Sequence, residues 1–167
     1  MNFFILGLPR SRTAWLANFL TYDGLFCYHE ASNGCKTVEE YKDKLKDCGD
    51  ANTGMAFFKI EEMFPDSKFI VIDSDPQNTI DYARNTYGIT DIKPFLELKE
   101  RLDKIEGLHI PFDEINSRLE EIWSYVSTVP FDRKRAKLLV NMNIQIQDPS
   151  NIDALSLLEF ADACHAL

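Results

Sequence analysis

Residues 3–20 read FFILGLPRSRTAWLANFL, and the fold turns on how this stretch is read. Phe3-Phe4-Ile5-Leu6 has the length and composition of a buried strand. Gly7-Leu8-Pro9 breaks that run, and a helical pattern begins at once. Trp15 with Phe19, and Leu16 with Leu20, fall four residues apart on one helix face. Strand, glycine-led loop and helix, in that order, aim backbone N–H groups and the positive helix end at one point. Arg10 and Arg12 stand inside the loop, and they are the only Lys or Arg residues before Lys36. The stretch reads as a cradle for an anion such as phosphate or sulfate. An ordinary strand-to-helix turn with two solvated arginines is the alternative that these residues alone leave open.

Working outward, the chain of 167 residues is expected to form one domain, 1–167, with a sizeable core. Its formal net charge of −9 argues against a nucleic-acid partner, but leaves room for a small anion held by local positive charge. No basic segment precedes a long apolar run, so neither a signal peptide nor a membrane span is expected. Cys27, Cys35, Cys48 and Cys164 form no C-x-x-C pair, which points to reduced thiols in the cytoplasm rather than to zinc.

The next informative stretch is residues 67–88, SKFIVIDSDPQNTIDYARNTYG. Phe69 to Ile72 is the strongest strand signal in the chain, Asp75 offers an N-cap, and Pro76 suits the first helical position. Ile80, Ala83 and Tyr87 mark the inner stripe of the helix. Upstream, Leu25 to Tyr28 reads as a strand that delivers His29 and Glu30 to the same carboxyl edge as the anion loop. Thr37 and Glu40 form a capping-box pattern. Met55 to Phe58 reads as a further short strand, and Leu108 to Pro111 as another, holding His109. Helices are expected after Pro94, with Phe95, Leu98 and Leu102 inward, and after Phe112, with Ile115, Leu119, Ile122, Trp123 and Val126 on one face. The dense basic cluster at 132–137 reads as an exposed first helical turn or as a phosphate contact. A last strand at 144–146, a capping box at 150–153 and a terminal helix close the pattern.

GLPRSRTAWL resembles the 5′-phosphosulfate loop of the sulfotransferases that use PAPS (3′-phosphoadenylyl sulfate), typically G-x-P-[KR]-S-G-T-x-W-L. Gly7, Pro9, Arg10, Ser11, Thr13, Trp15 and Leu16 match in register, while Arg12 occupies the family glycine. A residue other than glycine there requires either a left-handed backbone or a local change of loop. Residues 68–76 resemble the second motif of that family, K-F-I-x-[LV]-x-R-D-P. Here the family arginine that binds the 3′-phosphate falls on Ser74, and a family serine falls on Tyr82. The strand, proline, aromatic and acid at 108–113 are similar to the family's late V-x-Y-E-D-L segment.

The resemblance implies an α/β fold of three layers, P-loop NTPase-like, with a parallel central sheet flanked by helices. It implies transfer of a sulfuryl group from PAPS to a hydroxyl or amine of an unknown acceptor, leaving PAP, with no metal required. Gly7, Pro9, Arg10, Ser11, Arg12, Thr13, Ala14 and Trp15 would then form the cofactor loop, and Ser74 would border it. Arg84, or Arg133, Lys134 or Arg135 from the basic cluster, would replace the arginine lost at Ser74. His29 is the first candidate for general base and Glu30 the second, with Arg10 bearing on the transferring group. Two other readings stay open. Phe69-Ile70-Val71-Ile72-Asp73 also has the form of a Walker-B strand, implying a magnesium-dependent kinase or NTPase. Loss of the arginine at Ser74 also suits an inactive binding protein.

Overall fold

Five short segments, of which only residues 68–73 are rich in β-branched side chains, form one sheet in the computed structural model, which describes residues 1–142. In chain order the elements are β1 (Phe3–Gly7), α1 (Thr13–Leu20), β2 (Cys27–His29), α2 (Val38–Lys44), β3 (Gly49–Asn52), α3 (Ile60–Met63) and β4 (Lys68–Asp73). They continue as α4 (Pro76–Tyr87), α5 (Lys93–Leu102), β5 (Leu108–Pro111), α6 (Leu119–Val126) and α7 (Arg133–Val140). The strand order is β2-β3-β1-β4-β5, and every pair is parallel. The chain fills one side of β1 first and the other side afterwards. The carboxyl end of β1 is therefore a topological switch point, the place where open α/β sheets bind ligands.

Helices cover both faces, which makes three layers. Phe3, Ile5, Ile70 and Ile72 pack against Trp15, Leu16 and Phe19 of α1 and against Ile122 and Trp123 of α6. The alternate residues Phe4, Leu6, Phe69 and Val71 pack against Tyr41, Leu45, Ile60, Leu98 and Leu102 on the other face. Each such side chain contributes about 1.5–3 kcal/mol on full burial. Among the described residues no helix is long and apolar enough to cross a membrane.

Several expectations hold at the level of single residues. Thr37 Oγ1 accepts from Glu40 N at 3.1 Å, while Glu40 Oε2 reaches back to Lys36 N at 2.7 Å. Asp75 caps α4 by accepting from Gln77 N at 2.9 Å, with Pro76 in the first turn. Others need correction. Residues 55–58 are a 3-10 turn, and the strand lies earlier, at Gly49–Asn52. That segment has no β-branched residue and reads as a turn, yet pairing on both sides with β1 and β2 makes it a buried strand. β2 starts at Cys27 and includes His29. Tyr87 is 67% exposed rather than inward, because α4 is nearly finished there and closes at Gly88 in a left-handed cap. Phe112 opens a 3-10 turn, and α6 itself starts at Leu119. The strand at 144–146, the cap at 150–153, Cys164 and His165 lie outside the described residues.

Candidate functional site

The loop between β1 and α1 folds back tightly on its own start. A Cβ on Gly7 would lie 3.0 Å from Ser11 Cβ, so only glycine fits without a shift. Ser11 N donates to Leu8 O at 3.1 Å, and the Ser11 side chain is completely buried. Arg10 and Arg12 both have left-handed backbones, with φ of 75° and 60°. For a residue other than glycine that costs about 1–2 kcal/mol each. Arg12 is the N-cap of α1, yet no side chain caps the helix and its first turn holds no acid. The N–H groups of Thr13, Ala14 and Trp15 have no partner within the helix, as at any helix start. Their dipoles point into the loop.

The loop is tied to the segment after β4. Ser11 Oγ and Ser74 Oγ share a hydrogen bond of 2.8 Å, and Thr79 Oγ1 in α4 donates to Pro9 O at 2.7 Å. Arg10 lies over the Tyr82 ring at 4.6 Å, a cation–π contact. Arg12 lies over Trp15 at 4.3 Å and donates to Asn116 Oδ1 at 2.9 Å. Its partial burial lowers its pKa. Trp15 itself belongs to the core, stacked on Phe19 and donating to Leu139 O at 3.2 Å. Ala14 is half-buried in the first turn of α1.

β2 brings His29 to the same point: its Nε2 is 3.5 Å from Thr13 Oγ1. Burial holds the imidazole below its ordinary pKa, which favours the neutral ring. Glu30, at φ 58°, turns the chain there, and its Oε1 accepts from Thr53 N at 3.2 Å and Thr53 Oγ1 at 3.0 Å. Glu30 Oε1 is 4.0 Å from His29 Nε2, and burial raises the Glu30 carboxyl. Beneath this turn lies a group that the sequence reading missed. Asp50 is completely buried and accepts from Tyr41 OH at 2.6 Å, Ala31 N at 2.9 Å and Asn52 Nδ2 at 3.2 Å. Burial pushes its carboxyl up to about 6. Gly49-Asp50 looks like a turn signal, and only the pairing with β1 and β2 places it inside.

The remaining candidates are dispersed. Arg84 is exposed and lies 3.8 Å from Asp81, one turn earlier on α4. Arg133 pairs with Glu120 at 2.6 Å. Arg135 donates to Phe19 O at 2.8 Å and Asn18 O at 3.1 Å and stacks on Tyr22 at 4.3 Å. It closes the last turn of α1, about 12 Å from the end that faces the loop. Asp73 faces His109 Nδ1 at 3.3 Å and Lys99 Nζ at 3.8 Å. Beyond Arg12 an open cavity of about 370 Å³ lies between Asn116 and α7, bordered by Phe131, Arg133, Lys137 and Val140. Among the described residues no three His, Cys, Asp or Glu side chains are grouped to hold a metal ion.

No family model matches the chain, and no curated protein matches it. Among solved structures it is similar to mouse sulfotransferase SULT7A1, crystallised in complex with PAP, with a TM-score of 0.56 and 17% sequence identity. The match covers 90% of this chain and 69% of that one. At that identity the likeness is one of fold: a sulfotransferase-like α/β architecture with its central parallel sheet.

Proposed function

We propose that the chain is a small sulfotransferase that takes a sulfuryl group from a nucleotide 5′-phosphosulfate, PAPS being the donor implied by the resemblance, and passes it to a hydroxyl or amine. One observation carries the reading. The uncapped start of α1 and His29 meet at the loop of residues 7–13, and Arg10 and Arg12, which belong to that loop, flank it with guanidiniums that lie on Tyr82 and on Trp15 and have no carboxylate partner among the described residues. Backbone N–H groups and a cation around one point suit an anion whose charge moves during reaction. That the similar SULT7A1 was crystallised with PAP supports a nucleotide ligand for this fold.

The acceptor oxygen or nitrogen forms a bond to sulfur while the bond from sulfur to the bridging phosphate oxygen breaks. The electron pair leaves with the phosphate, where the N–H groups of α1 and Arg10 stabilise it. The acceptor proton goes to His29, whose neutral ring suits that work; Glu30 has one carboxylate oxygen engaged by Thr53. Calorimetric titration with PAP and with ATP, each with and without magnesium, tests the reading. Metal-independent PAP binding tighter than ATP binding is expected. Magnesium-dependent ATP binding would overturn it. His29→Gln should abolish turnover and keep PAP affinity, and a fully active variant would remove His29 from the mechanism.

A further inference from the structure

We propose that the nucleotide held by this loop carries its recognised charge at the 5′ position alone, so that a 3′-phosphate adds nothing to binding. The inference rests on the reading of the loop as a nucleotide site and narrows the ligand it takes. All 18 Lys and Arg residues precede residue 143, and the segment 143–167 contains none, so every such cation of the chain lies among the described residues. A second phosphate would need a cation or a helix start of its own.

On the α4 side neither is free. Ser74 shares a hydrogen bond with Ser11 and stands between Asp73 and Asp75 in the sequence. The start of α4 is already filled by the Asp75 carboxylate. Lys99 lies against both Asp73 and Asp103, and Arg84 against Asp81. Tyr82 supplies a ring in place of a small hydroxyl, and Arg10 rests on that ring. Arg10 is then the one cation on this side with no carboxylate partner, and the 5′ group claims it. A phosphate placed beside Ser74 would meet the Asp75 carboxylate at the start of α4, with Arg10 already claimed and Lys99 and Arg84 paired, and like charges repel. On the other side, beyond Arg12, Arg133 is neutralised by Glu120, which leaves Lys137 alone at the cavity.

The test is calorimetric titration of the full chain with AMP, adenosine 5′-phosphosulfate and PAP. AMP and PAP should bind with dissociation constants within about threefold of each other. In Ser74→Arg, PAP should gain about tenfold over AMP, the effect of one charge-assisted contact. A preference for PAP of about tenfold or more in the unmodified chain overturns the inference while leaving the nucleotide reading intact. If Lys137→Ala then removed that preference, the second phosphate would be located in the cavity. Failure of all three nucleotides to bind overturns both the reading and the inference drawn from it.

Discussion

Asp50→Asn should remove a pH dependence of stability that a single buried carboxyl imposes. Burial raises the Asp50 carboxyl from its ordinary 3.8 to about 6, although Tyr41, Ala31 and Asn52 all donate to it and pull the other way. Between those two values the folded protein holds a proton that the unfolded chain has released. Stability therefore falls as pH rises through this window, and above it the loss is constant. A shift of roughly two units corresponds to about 3 kcal/mol. Asparagine keeps an acceptor for Ala31 N and carries no charge at any pH. The stability of the unmodified chain minus that of Asp50→Asn should therefore drop by about 3 kcal/mol from about pH 3 to about pH 7.

Urea unfolding followed by the fluorescence of Trp15 and Trp123, both buried, supplies the measurement at each pH. Two neighbours also have shifted pKa values. The lowered pKa of His29 makes stability rise with pH up to its ordinary value, whereas the raised Glu30 carboxyl acts in the same direction as Asp50. Both are present in both proteins, so the difference largely cancels them, apart from the coupling of Glu30 to Asp50. A difference that stays flat across the range, or that favours the unmodified chain increasingly as pH rises, would refute the burial of an ionising Asp50.

Arg10→Ala should weaken nucleotide binding by about 1.5–3 kcal/mol, and an unchanged dissociation constant would remove the loop from the site. Gly7→Ala forces its new methyl against Ser11 and should cost about 1–3 kcal/mol of stability, read as a lowered Tm. An unshifted Tm would mean that the loop relaxes freely. Thr79→Val deletes the donor to Pro9 O and should lower both stability, by about 1 kcal/mol, and nucleotide affinity. Loss of stability with full affinity would show that α4 does not hold the loop in shape.

Much of the fold is legible because its signals are local. Phe3 to Leu6 followed by glycine, and Phe69 to Ile72 followed by Asp75-Pro76, each declare a strand, a stop and a helix start within about ten residues. The parts that were not legible depend on distant partners. Gly49 to Asn52 is a strand only because β1 and β2 flank it, and Asp50 is buried for the same reason. Arg135 caps α1 from more than a hundred residues away, which no spacing rule reaches. The left-handed backbone of Arg12 was one of two outcomes open at a family glycine. That of Arg10 had no signal in its residue type.

The alternation of β4 bears on the reading of Asp73 as a magnesium ligand. Successive side chains of a strand point to opposite faces. Ile70 and Ile72 lie on the α1 face, so Ser74 follows them there and meets Ser11 of the loop. Phe69 and Val71 lie on the α5 face, so Asp73 follows them away from the loop to Lys99 and His109. A carboxylate expected to hold magnesium on a nucleotide is thus turned from the start of α1 and paired with two basic side chains. What stands beside the loop instead is a neutral hydroxyl. Catalysis by cations and backbone N–H groups needs nothing more from that position, whereas metal chemistry through Asp73 would require β4 to slip by one residue. Such a slip would carry Ile70 and Ile72 off the α1 face and dismantle the core that positions the loop.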